Sequence, residues 1–268
     1  MNDRPTTPNS LRVSGRAFHT PRSAMWGLVG SAALALLVMT SLVPPANAQT
    51  TTKPGVVGTT IPASKTSTSR DSLVAAMKSG KKTATITVYK APDGKVVQTK
   101  VKNPLTSRAV FSVLEERDGY YHVMLPTRPN GSKGWIKKSD VSTYRTPYRV
   151  VISVSEKRLA VYEGDLLIIA ANIAVGKPNT PTPTGDFYVY WVRSTSARQK
   201  AGWGDYVIGL SGFGNNSTYG EGRVGIHGTD NASTIGTPAS AGCVRVTNQV
   251  IRQMKSTLYL GTPVTIVA

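Results

Sequence analysis

The 268-residue chain reads as a mainly β protein. Three observations predict this. Short runs rich in β-branched and aromatic residues recur from residue 83 onward, clusters of Gly, Pro, Asn and Asp punctuate them, and helical periodicity is confined to two short stretches. Once an N-terminal leader is set aside, the length suits two modest domains rather than one large one.

The leader covers residues 1–48. Arg4, Arg12, Arg16 and Arg22 precede an uncharged, largely apolar run over 23–43, and Ala46-Asn47-Ala48 stands before Gln49. A basic region, an apolar region and an A-x-A site form a secretory signal peptide. A retained anchor is the alternative, since about 20 apolar residues also cross a bilayer. Pro44, Pro45 and the small-residue site favour cleavage. Either way the body of the chain is expected to be exported and extracytoplasmic, with membrane contact only through an uncleaved leader.

Residues 49–82 are rich in Thr, Ser and Lys and read as a flexible basic linker. Asp71 or Ser72 could cap a short helix ending at Gly80, with disorder throughout as the other reading. Residues 83–146 then carry ITVYK, VVQTKV, VFSVLEE, YYHVML and GWIKKSDV between turn signals, the spacing of a small β-barrel. Tyr120, Tyr121, His122 and Trp135 could line a binding face or simply fill a core. This segment holds no pair of nucleophile and base, so it is expected to be dispensable for thiol chemistry.

Residues 147–268 open with alternating Val150, Ile152 and Val154, turn at 156–158, and continue as strands over 159–162 and 166–175. GKPNTPTPTG, 176–185, has too many prolines for a regular element and leads into the strand FYVYWV. GLSGFGNNSTYGEG, 209–222, reads as an irregular stretch that delivers the chain to the His227 strand. After Cys243, Val250, Ile251, Met254 and Leu258 share one helical face, Gly261-Thr262-Pro263 stops the helix, and VTIV closes the sheet.

The formal charge of +18 is spread along the chain, with no arginine-rich helix or zinc-finger spacing, so nucleic-acid reading is set aside. A basic exported protein suits the anionic cell envelope as partner. One cysteine excludes an intrachain disulfide framework, and three scattered histidines with that cysteine exclude a zinc-peptidase site. No metal and no cofactor are expected.

The chemistry gathers in 224–248, VGIHGTDNASTIGTPASAGCVRVTN, which holds Cys243 and His227. A thiol attacks a carbonyl as thiolate, and at an ordinary pKa of about 8.5 it needs a base in reach. His227 is that base, because His19 lies in the leader and His122 in the preceding segment. The backbone amides of Gly242 and Cys243 could face a developing oxyanion, and the Arg245 guanidinium would clamp a substrate carboxylate. Taken singly, the cysteine and the histidine could each be structural. Ser240 and Asn248 could be turn and helix caps.

The elements HG and SAGCVRVTN, with VGKPNTPTPTG upstream, resemble the YkuD family of L,D-transpeptidase catalytic domains from about Tyr148 to the C-terminus. The resemblance implies a YkuD-type β-sandwich with a short helix after the catalytic cysteine. It also implies a thioester acyl-enzyme on peptidoglycan stem peptides, Ser240 counted with Cys243 and His227, Gly228 and Asn248 with the substrate-binding set, and the proline-rich loop near the site. Ala241 departs from the family, where many members carry a second histidine. YYHVML and GSKGWIKKSDV resemble bacterial SH3-like domains, which implies association with the cell wall. An L,D-carboxypeptidase using the same residues, and a non-catalytic wall-binding protein, remain alternatives. A papain-like amidase fits less well, because there the cysteine precedes the histidine.

Overall fold

A computed structural model describes residues 71–104, 107–215 and 222–268. The leader and most of the linker lie outside the described residues. Among those described, no helix is long and apolar enough to cross a membrane. Over the described residues the protein is mainly β, with two α-helices.

Seven strands form the first sheet: β1 (Ser72–Met77), β2 (Thr85–Tyr89), β3 (Val97–Lys102), β4 (Val110–Arg117), β5 (Tyr120–Met124), β6 (Lys133–Lys137) and β7 (Val141–Thr146), in the order β3-β2-β6-β5-β4-β1-β7. β1 corrects the sequence reading of 72–77 as linker or short helix. Its apolar spacing also fits a helical turn, but pairing with both β4 and β7 overrides that local preference and buries Val74, Ala75 and Met77.

The second sheet has eight strands. β8 (Tyr148–Ser153), β9 (Arg158–Glu163) and β10 (Leu166–Asn172) form its opening meander, β11 (Val175–Gly176) stands apart, and β12 (Gly185–Ser194) follows. Helix α1 (Ala197–Trp203) leads to β13 (Tyr206–Phe213) and β14 (Arg223–His227). β15 (Pro238–Ser240), β16 (Val244–Arg245), helix α2 (Asn248–Thr257) and β17 (Pro263–Val267) complete the chain. The order is β10-β9-β8-β17-β12-β13-β14-β16, and β11 pairs in parallel with β15.

One sequence expectation fails here. The stretch 209–213, read as irregular, is the end of β13, because Gly209 and Gly212 leave room for the rings of Trp191 and Phe187 on β12; a Cβ at either glycine would sit 2.2 Å from a ring carbon. FYVYWV reads as a continuous apolar run because both faces of β12 are covered. Phe187 and Val189 enter the core of the eight-stranded sheet, whereas Tyr188 and Tyr190 enter the core of the seven-stranded one. The two sheets therefore share buried side chains across β12, and the first segment is not an appendage.

Candidate active site

β14 carries His227 and β16 leads out of Cys243. The two strands pair in parallel with Ile226 opposite Val244 and His227 opposite Arg245. One step back along this register sets Cys243 beside Gly225, whose backbone amide hydrogen-bonds the thiol. Partners in a parallel ladder share a face and side chains alternate, so Cys243, His227 and Arg245 project to one side.

His227 is 3% exposed. Its Nδ1 lies 2.7 Å from the Gly228 carbonyl oxygen, which can only accept, so Nδ1 carries the proton and Nε2 keeps its lone pair. The Trp203 ring lies 4.7 Å from the imidazole and fixes it from α1. Burial, opposed by the Gly228 bond and reinforced by the Arg245 charge, lowers the pKa of His227 from 6.5 to about 4. For Cys243, burial pushes the thiol up, while the Gly225 bond and the Arg245 charge pull it down. The resting pair is a neutral imidazole and a protonated thiol.

A pH dependence follows. Between pH 4 and 6.5 the unfolded chain binds a proton at this position that the fold excludes, so stability is full above about 6.5 and falls as pH drops from there to about 4. The loss is about 3 kcal/mol. Urea titrations across this window should show it and should lose most of it in His227→Gln. An imidazole NMR titration with a midpoint near the ordinary 6.5 would contradict it.

Ser240 is buried at 2% exposure and organises the cysteine turn. Its Oγ accepts from Gly242 N at 3.1 Å and donates to the Cys243 carbonyl at 2.5 Å. This corrects the expectation that Gly242 offers an oxyanion donor, since its N–H is engaged within the turn. Gly242 has φ +116°, a conformation that only glycine adopts without strain. The proline-rich loop is pinned against the same turn. Lys177 N and Thr180 Oγ1 donate to the Ser240 carbonyl at 3.0 and 3.1 Å.

Gly228 and Asn248, expected to bind substrate, both make contacts within the chain. Gly228 is buried and gives its carbonyl to His227. Asn248 is not the cap of α2, a role taken by Thr247, whose side chain accepts from Val250 N. Instead, Asn248 Oδ1 accepts from Asp205 N at 3.0 Å and Nδ2 donates to Asp230 Oδ1 at 2.6 Å. It ties the end of α1 and the loop after His227 to α2. Arg245 remains suited to a clamp: its Nε is buried with no hydrogen-bond partner among the described residues.

A cleft of about 490 Å³ opens at Cys243, walled by α1, β12, β13 and β14. The sequence reading missed α1 and Trp203. Ser196 and Gln199 form a capping box and Gly204 ends the helix, and those residues were the available signal.

In class, this is a β protein with a thiol at a cleft and a buried, neutral imidazole on the neighbouring strand. The profile of the YkuD family, L,D-transpeptidase catalytic domain, matches residues 147–266. Bacillus subtilis YkuD, named as a candidate L,D-transpeptidase, is 35% identical over 124 residues, 46% of this chain and 68% of its own. YqjB of the same species, named likewise, is 30% identical over 125 residues, 45% of this chain and 70% of its own. For Bacillus licheniformis YkuD, 35% identical over 120 residues, the covered share is 66%, so the chain spans about two thirds of the length of these relatives. An L,D-transpeptidase structure from Mycobacterium tuberculosis aligns with 72% of this chain and 98% of its own at 13% identity and a TM-score of 0.42. The chain belongs to the YkuD family of L,D-transpeptidase catalytic domains.

Proposed function

We propose that the protein is a cysteine-dependent L,D-transpeptidase that cross-links peptidoglycan stem peptides through a thioester. The observation that carries this reading is the register of β14 and β16, which sets the sole cysteine of the chain on one face with a histidine held neutral. Cys243 sulfur adds to the carbonyl of the third, diamino residue of a donor stem while its proton passes to His227. The bond to the terminal D-alanine breaks, the departing amine takes that proton, and a thioester remains. An acceptor amine then loses its proton to His227 and attacks the thioester, an amide forms, and the thiol is restored. The Cys243 amide faces the oxyanion and Arg245 holds a substrate carboxylate.

The seven-stranded sheet is read as an SH3-like module that rests on the catalytic sheet and associates with the wall, and residues 1–48 as an export signal. The +18 charge supports attraction to an anionic envelope. Incubating the protein with a disaccharide-tetrapeptide and an acceptor stem, followed by mass spectrometry, tests the central reading. Release of D-alanine together with a cross-linked dimer is expected. Release without dimer at saturating acceptor would reassign the activity to an L,D-carboxypeptidase, and no release would remove the acyl-transfer reading. Intact mass of exported protein should place its first residue at or near Gln49, and a full-length mass from membranes would identify an anchor.

A further inference from the structure

Among the described residues that line the cleft at Cys243, the charged side chains are Arg193, Arg198 and Arg223, and none is acidic. Arg223 is buried and donates to the carbonyl oxygens of Ser211 and Pro126. Arg193 and Arg198 are exposed, on β12 and α1 respectively. Among the described residues no carboxylate lies within ion-pair distance of either one. Arg193 instead lies over the Trp191 ring at 5.3 Å.

Helix α1 sorts its cations. Lys200 pairs with Asp205 at 2.9 Å, while Arg198, two residues and about 200° away around the helix, lines the cleft. Trp191 and Trp203 add apolar wall to the same cleft, and Trp203 also touches the His227 ring. Planar guanidinium groups beside aromatic faces suit a carboxylate at the end of an aliphatic arm.

We propose that this cleft is a carboxylate subsite. Arg193 and Arg198 hold a free carboxylate of the peptide arm that reaches Cys243, and Trp191 and Trp203 pack on the arm itself. The subsite rests on the acyl-transfer reading for the identity of that arm, which is either the donor or the acceptor stem. Arg245 lies beside the thiol and imidazole, so a second carboxylate can be recognised separately from the one it holds.

The sole cysteine allows a test that needs no substrate. Iodoacetate and iodoacetamide each form a carbon–sulfur bond at Cys243 with loss of iodide, and they differ in charge. The ratio of their alkylation rates reads the local potential within one protein. In the double variant Arg193→Gln, Arg198→Gln the ratio should fall by roughly threefold to tenfold at low salt, and the difference should vanish near molar salt. A ratio unchanged in a double variant that melts like the parent would overturn the subsite.

A second arm measures binding of donor and acceptor stems, with carboxylates free or amidated, to Cys243→Ala protein with and without the two arginine substitutions. A loss confined to the free-acid form of one stem supports the subsite and names its occupant. Equal losses for free and amidated stems would mean a steric role and overturn it. A changed alkylation ratio in a protein that releases no D-alanine would leave the subsite standing and remove the acyl-transfer reading alone.

Discussion

Cys243→Ser should leave no detectable covalent adduct with a tetrapeptide donor, and His227→Ala should slow adduct formation by about 10² to 10⁴. The first substitution replaces a polarizable sulfur with a hydroxyl whose proton a neutral imidazole removes poorly. The second leaves a thiol that burial already holds above its ordinary pKa, with no acceptor for its proton. Because the thiol is protonated at rest, the base acts during attack rather than before it. Raising pH should therefore partly restore adduct formation in His227→Ala, whereas Cys243→Ser stays inert at every pH. Intact-mass time courses would check both. Adduct formation at the parental rate in either variant would overturn the mechanism, since the chain has no second thiol.

The site was legible in the sequence to the extent that its chemistry is local. Cys243 and His227 stood out because sulfur and imidazole are scarce in this chain, and the turn around Gly242 because its small residues are contiguous. The contact between Gly228 and the His227 ring was not legible, and only the fold shows it. The contacts of Asn248 were hidden for the same reason, since its partners Asp205 and Asp230 lie 43 and 18 residues away. Trp203 was overlooked because one tryptophan in a polar seven-residue helix has no periodic signal. The β elements were read well where one face is solvated and alternation survives. They were misread at β1 and at the end of β13, where pairing or packing on both sides erases alternation and glycines stand in for missing side chains.

The same double burial gives the largest stability effect expected of a single substitution. Tyr188 is fully buried, and its ring packs 6.2 Å from that of Tyr190 in the core of the seven-stranded sheet although both belong to β12 of the other sheet. Tyr188→Ala should cost about 3 to 5 kcal/mol, the range for deleting a buried aromatic ring. Leu166→Ala on β10, at a side chain 65% exposed, should stay within about 0.5 kcal/mol. The polar ties between the sheets make the case stronger for truncation. Asn130 exchanges two 2.9 Å hydrogen bonds with the backbone of Phe213, and Arg223 in the cleft wall donates to Pro126. Removing residues 72–146 would expose Tyr188 and Tyr190 and strip Arg223 of that acceptor, so the remaining chain should aggregate or lose its cooperative transition, and thiol chemistry with it. This reverses the expectation that the first segment is dispensable for thiol chemistry. Urea unfolding of Tyr188→Ala and of a chain beginning at Pro147 would decide the matter. A cost below 1 kcal/mol, or a truncated protein that unfolds cooperatively and still forms the Cys243 adduct, would show that the catalytic sheet stands alone.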